Sequence, residues 1–199
     1  DSDVRNAHPI VATTQHGDIA LGHNGNLVNG AELRLALERE GAIFSSTTDS
    51  EVILHLLARS RARRPEDALA ESLLQLKGAF SLVLLLGETL VGVRDPWGFR
   101  PLVLGDLDGA PVLSSETCAL DLLRARCVRE LEPGEVVVCR GGVVESFKPL
   151  PAVSTVPCIF EHVYFARPDS QVFGVQVFQA RVAMGRAVLS GAQILLLDE

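Results

Sequence analysis

The chain has 199 residues, 47% of them hydrophobic and 22% charged, which is enough to bury a core and too apolar for a disordered chain. Its net charge of −7 argues against a non-specific nucleic-acid surface, which needs a basic face, and no apolar stretch nears the ~20 residues of a membrane span. Four scattered cysteines (Cys118, Cys127, Cys139 and Cys158) form no CxxC pair and read as reduced thiols, so the cytoplasm is the expected location. The only methionine is Met184, and the residues after Asp1 have no targeting character, so a fragment is expected.

In chain order, residues 19–22 read as a strand that empties into a tight turn at His23-Asn24-Gly25-Asn26, because Asn and Gly accept the dihedrals of such turns. Asn29 is placed to cap a helix over 31–40, with Leu33 and Leu37 on one face and Gly41 as its stop. Thr48-x-x-Glu51 reads as a capping box opening a helix whose apolar stripe is Val52, Ile53, Leu56 and Leu57. A third helix is expected from Pro65 to about Leu76.

The middle is strand-rich. Residues 79–86 form an apolar run suited to a strand covered on both faces, followed by strands at 89–94, 101–104, 111–114, 135–140 and 143–147. Asp95-Pro96-Trp97-Gly98 is a turn, and 116–123 a short helix. The prolines between 149 and 157 read as a linker. Beyond it come a strand at 159–165, a turn at Arg167-Pro168-Asp169, a helix over 175–189 and a short strand at 194–197. Helices followed by many short strands point to layered α+β packing.

Two constellations carry chemistry. A turn at Asn24-Gly25 can aim a side-chain amide and a backbone N–H at one point, which is how an oxyanion is held, although a plain hairpin accounts for the same residues. Asp49, in the first turn of a helix, can read a cationic amine, although the helix dipole favours a carboxylate there whatever its use. His23 reads as a packed or hydrogen-bonded turn residue.

Together these blocks resemble the glutamine-hydrolysing domain of class II amidotransferases, the N-terminal-nucleophile type. Further blocks resemble its amidophosphoribosyltransferase branch. They are Leu76-Lys77-Gly78-Ala79-Phe80-Ser81-Leu82, Val93-Arg94-Asp95-Pro96-Trp97-Gly98-Phe99-Arg100, Ser114-Ser115-Glu116-Thr117-Cys118-Ala119 and Glu132-Pro133-Gly134-Glu135. The most diagnostic is Pro157-Cys158-Ile159-Phe160-Glu161-His162-Val163-Tyr164-Phe165-Ala166-Arg167-Pro168-Asp169-Ser170. The resemblance implies the larger, N-terminally truncated part of an αββα glutaminase domain over residues 1–148, a linker over 149–157 and the start of a phosphoribosyltransferase α/β domain from 158. It implies Asn24 and Gly25 as the oxyanion hole and Asp49 as the ligand of the glutamine amino group.

The implied reaction passes ammonia from glutamine to phosphoribosyl pyrophosphate, giving 5-phosphoribosylamine, the first step of purine nucleotide synthesis. Mg2+ is implied at a site outside this chain, and a homo-oligomer when complete. Some members ligate a 4Fe–4S cluster at the position of Cys158; a buried free thiol is the favoured alternative. The family's nucleophile is an N-terminal Cys, where this chain has Asp1, so the piece itself is expected to be inactive. Two other readings stay open: another class II amidotransferase, and a non-enzymatic glutamine-binding or interaction module on the same fold. From about Leu189 the tail departs from the family and resembles a Walker B strand, without any P-loop in the chain.

Overall fold

A computed structural model describes residues 3–151 and 153–190. Strand β1 (Ile10–Thr14) and the long β2 (Gly17–Leu27) lead into three helices, α1 (Gly30–Arg39), α2 (Ser50–Arg59) and α3 (Pro65–Leu73). Strands β3 (Gly78–Leu86), β4 (Thr89–Arg94), β5 (Val103–Leu107) and β6 (Ala110–Ser114) follow, then helix α4 (Thr117–Leu123). Strands β7 (Arg126–Glu130), β8 (Val136–Arg140) and β9 (Val143–Phe147) complete the strand-rich part. A short hairpin, β10 (Gln171–Val172) and β11 (Val175–Gln176), precedes α5 (Val177–Leu189).

Period-2 alternation along the strands builds the layers. A six-stranded antiparallel sheet has the order β1-β2-β3-β4-β8-β9, and a three-stranded sheet the order β6-β5-β7. On β8, Val136 and Val138 face the helices, whereas Val137 and Cys139 face the second sheet. Strand β3 divides likewise, with Leu82, Leu84 and Leu86 toward the helices and Val83 toward the other sheet. Helix α2 places Val52, Ile53, Leu56 and Leu57 in the first core, as its stripe predicts. Each such side chain, fully buried, contributes about 1.5–3 kcal/mol of transfer free energy. Between the sheets lie Leu102, Leu104 and Leu131, and Val103 of β5 turns its other face to Leu120 of α4. The order is helices, sheet, sheet, helix, so the αββα expectation is borne out.

Gly92 lies against the second sheet, where Leu113 and Leu102 fill the space a side chain would need. A Cβ there would lie 2.8 Å from Leu113 Cδ1. The turn after β4 is held by the fully buried Asp95 carboxylate, which accepts N–H groups from Trp97 at 2.9 Å and Phe99 at 3.2 Å. Burial pushes this carboxyl up, against the N–H groups that favour its charge.

Several local expectations are corrected. Residues 23–26 are not a turn: β2 runs through them, paired His23↔Leu82, Asn24↔Ser81, Gly25↔Phe80 and Asn26↔Ala79. Asn29 does not cap α1. Its Nδ2 donates to Gln75 O at 2.9 Å and its Oδ1 accepts from Lys77 N at 2.9 Å, tying α1 to the approach of β3. The third helix ends at Leu73, and the strand placed at 101–104 is β5. Strands β1 and β7 and the β10–β11 hairpin had no predicted counterpart.

The run 159–165 is not a strand but a π-helical turn, Glu161–Phe165. A strand would send neighbouring side chains to opposite faces, yet both Glu161 and His162 are buried. Glu161 meets Arg100 Nη1 at 2.6 Å, and His162 Nε2 lies 3.0 Å from Val172 O. The segment 149–157 is pinned at its end, where Val156 N donates to Trp97 O at 2.8 Å. Ala166, Val172 and Val177 make a small separate core. The strand expected at 194–197 and the tail lie outside the described residues.

Candidate functional site

The site forms where the far end of β2 meets the start of α2. Backbone N–H groups alternate sides along a strand. His23 N donates to His8 Nδ1 at 3.0 Å, and Leu27 N to Asp49 Oδ2 at 2.6 Å, both on the edge away from β3. Val28 N, of opposite parity, bonds Lys77 O on the β3 side. Gly25 lies between His23 and Leu27, so alternation directs its N–H to the edge that they use. Strand β1 pairs with residues 17–21 of β2, and among the described residues no strand pairs with that edge at Gly25.

Gly25 is required there by contact and by conformation. Its φ is +149°, and a Cβ would lie 2.0 Å from Ala79 O, a backbone atom. Gly78 mirrors it, with φ +141° and a Cβ position 2.3 Å from Asn26 O. The two strands are thus drawn together at this end.

Asn24 projects to the other face from His23. Its Nδ2 donates to Ser115 Oγ at 3.2 Å, in the connection between β6 and α4. Asp49 stands at the N-cap of α2 but makes no capping bond, its Oδ2 being given to Leu27 N. Asn24, Gly25 and Asp49 thus all lie at one end of β2, Asp49 through Leu27 N, with the Asn24 side chain on the opposite face. The structure adds His8 and Ser115, which sequence reasoning did not place at the site, and it packs and hydrogen-bonds His23 as expected.

His23 is almost wholly enclosed, with 2% of its side chain exposed. Its Nδ1 is 2.8 Å from Ser50 Oγ and 3.8 Å from Asp49 Oδ1, and its Nε2 has no hydrogen-bond partner. Burial pushes its pKa below the ordinary histidine range, outweighing the pull of Asp49 toward the charged form. A neutral ring here fixes the start of α2 without adding positive charge beside Asp49.

The predicted capping box is also replaced. Glu51 reaches past Thr48 and accepts N–H and O–H from both Ser45 and Ser46, at 2.8, 2.9, 2.8 and 2.5 Å. Thr48 Oγ1 accepts weakly from Ser50 N at 3.3 Å. The four bonds shape the loop before Asp49. Burial raises the Glu51 pKa and the bonds lower it, with a net lowering from the usual 4.5. Glu51→Gln should cost about 2–4 kcal/mol, since all four donors lose a charged acceptor and two of them face an amide NH2 instead. Because folding lowers this pKa, the stabilisation is present above the usual carboxylate range and lost as pH falls through the folded value. Urea unfolding of both proteins against pH should therefore show the gap at pH 7 narrowing in acid; a gap constant down to pH 3 would contradict the assignment.

Cys158 lies apart, its N–H donating to Phe99 O at 3.3 Å. A 4Fe–4S cluster needs about four thiolates. Cys118 bonds Glu116, Cys139 is in the inter-sheet core, and Cys127 is exposed on β7. Among the described residues no group of three or more His, Cys, Asp or Glu is arranged to hold a metal. No four-thiolate set stands among the described residues, and the resemblance puts the three further ligands in the later domain.

Residues 1–122 match the family model for a glutamine amidotransferase domain. The chain belongs to the glutamine amidotransferase domain family. It is similar to the amidophosphoribosyltransferase of Rhizobium etli, 44% identical over 187 residues, covering 92% of this chain and 38% of that protein. The amidophosphoribosyltransferase of Methanocaldococcus jannaschii is 42% identical over 200 residues, covering 92% of this chain and 42% of that one. Among solved structures, a glutamine phosphoribosylpyrophosphate amidotransferase from B. subtilis, complexed with ADP and GMP, superposes with a TM-score of 0.92 at 35% identity. That match covers 98% of this chain and 43% of the other. The resemblance to the amidophosphoribosyltransferases is thus borne out, and the chain spans about two fifths of the length of these relatives. No described helix is long and apolar enough to cross a membrane.

Proposed function

We propose that this glutamine amidotransferase domain, as part of a complete enzyme that supplies the nucleophile, binds glutamine and serves the hydrolysis of its side-chain amide. The ammonia released goes to phosphoribosyl pyrophosphate, giving 5-phosphoribosylamine in the first step of purine nucleotide synthesis. The observation that carries the reading is the open β2 edge at Gly25, flanked by Asp49 on Leu27 N. As the amide carbon becomes tetrahedral its oxygen takes up negative charge, and the Gly25 N–H with the Asn24 amide stabilises it. Asp49 accepts the α-ammonium group of the same glutamine. The start of α2 is already held by His23 and Ser50, so the carboxylate is in place before substrate arrives.

The family resemblance implies an attacking cysteine whose own α-amino group is the base. None of the four cysteines of this sequence hydrogen-bonds Asn24, Gly25 or Asp49, so in this reading the thiolate is not one of them. Residues 1–148 form the glutaminase domain, 149–157 the connection, and residues from 158 the start of the phosphoribosyltransferase domain. Mg2+ belongs to that second domain, outside this chain, and no step above passes through it. The complete enzyme is read as a cytoplasmic homo-oligomer.

Asp49→Asn tests the glutamine site. In the full-length enzyme it should raise the glutamine KM at least tenfold, because the charge reading the ammonium group is lost. It should also cost about 0.3–1 kcal/mol of stability at the helix N-terminus. An unchanged KM for glutamine would reduce Asp49 to a residue that ties α2 to β2.

A further inference from the structure

We infer that Ser115 and Glu116 form a link that ties the orientation of the Asn24 amide to the seating of residues 167–171, with Glu116 as a positioning residue for glutamine hydrolysis. The inference rests on reading Asn24 as an oxyanion donor. Glu116 stands at the N-cap of α4, in extended conformation (φ −131°, ψ 146°), where a side chain ordinarily accepts an N–H of its own helix. It makes no such bond. Its Oε2 instead accepts Arg167 N–H at 2.8 Å and Ser170 O–H at 2.7 Å. Ser170 is fully buried, so its hydroxyl is not exchanged for water.

The next residue does the same work at the other end of that segment, where Thr117 Oγ1 accepts Gln171 N–H at 2.8 Å. The preceding residue, Ser115, accepts the Asn24 Nδ2–H at 3.2 Å. Three consecutive residues thus hold the oxyanion asparagine on one side and residues 167–171 on the other. Ser115 and Glu116 are joined by one planar peptide, so a displacement of one has only two backbone torsions in which to be lost before it reaches the other. Helix α4 behind them is anchored by Leu120, wholly buried against β5, which resists a displacement of the helix.

The asparagine end is the soft part. Rotation of a primary amide about its last torsion is broad, so the partner of Nδ2 sets where the amide points. Oxyanion stabilisation is sensitive to such aim, and a misplacement of about 1 Å can cost a hundredfold in rate. A shift in residues 167–171 is therefore passed through Glu116 and Ser115 to the Asn24 amide.

The test is glutamate release from glutamine by the full-length enzyme carrying Ser115→Ala, Glu116→Ala, Ser170→Ala and the Ser115→Ala/Glu116→Ala pair. Each single variant should lower kcat roughly ten- to hundredfold, with the glutamine KM within about threefold, because Asp49 is untouched. The pair should be no slower than the slower single variant, since both break one link. Glu116→Gln, which keeps an acceptor oxygen, should recover most of the rate. Singles within twofold of the parent, or effects that multiply in the pair, would overturn the link. Thermal unfolding screens for folding, and if Glu116→Ala does not fold, Ser170→Ala decides from the opposite side of the contact. Asn24→Ala, run in parallel, separates the two failures. If it is silent, the oxyanion reading falls and the link with it; if it is crippling while Glu116→Ala and Ser170→Ala are silent, only the link falls.

Discussion

Asn24→Ala should lower glutamine hydrolysis in the full-length enzyme by ~10²–10³, the typical cost of one oxyanion donor. Synthesis from free ammonia should be largely retained, because that reaction forms no tetrahedral intermediate at the glutamine amide. The side chain is suited to so specific a loss. Asn24 is not a member of either large core cluster, and its side-chain hydrogen bond to Ser115 lies in a half-buried connection. Losing that bond costs about 1 kcal/mol, too little to unfold the αββα frame. Glutamate release and ammonia-dependent product formation, measured on the same preparation, check the split. Equal loss of both activities would make Asn24 a folding residue and end its role as an oxyanion donor.

The layers of this fold are legible in the sequence because they rest on periodicity. The stripe Val52, Ile53, Leu56, Leu57 and the apolar run of β3 mark which faces are buried, and their burial agrees. The local chemistry of polar residues is less legible, since it depends on what tertiary packing brings near. Asn24-Gly25 reads as a turn when only the two residues are considered, because φ > 0 at glycine suits one. The same φ also suits a strand pinched against a carbonyl, and Ala79 O is more than fifty residues away in sequence. Thr48 and Glu51 have capping-box spacing, but Ser45 and Ser46 present four donors that a carboxylate satisfies better. Glu161 and His162 look like ordinary members of an apolar run until Arg100 and the Val172 carbonyl arrive to pair with them. Strand β7 was missed because Arg126-Cys127-Val128-Arg129-Glu130 is too polar to stand out. It is an edge strand of the small sheet, where one face and one edge meet solvent. The family resemblance points to Asn24, Gly25 and Asp49, the sequence reads His23 as a packed or hydrogen-bonded residue, and Ser115 emerges only through geometry.

Gly25→Ala should be the most destabilising single substitution at the site. An added Cβ would lie 2.0 Å from Ala79 O, 2.8 Å from Ala79 C and 2.9 Å from Phe80 Cα. All three are backbone atoms, and they belong to the strand that carries Phe80, Leu82 and Leu84 into the first core. No side-chain rotation relieves the clash, so β2 and β3 must separate or the pairing must slip. A slip of one residue would send Leu21 and Leu27 to the wrong face. The cost should exceed ~4 kcal/mol, the range reserved for broken cores and forbidden backbone. For a chain of this size that corresponds to a fall in Tm of roughly 8–16 °C, at about 2–4 °C per kcal/mol. Gly41→Ala is the matched control. It too has positive φ, +91°, but nothing lies within 4 Å of its Cβ position, so only the conformational cost of about 1 kcal/mol applies. Calorimetry of the two variants separates contact from conformation. If Gly25→Ala melts no lower than Gly41→Ala, the approach of β2 to β3 is looser than 2.0 Å implies, and the Gly25 N–H is not held rigidly enough to serve an oxyanion.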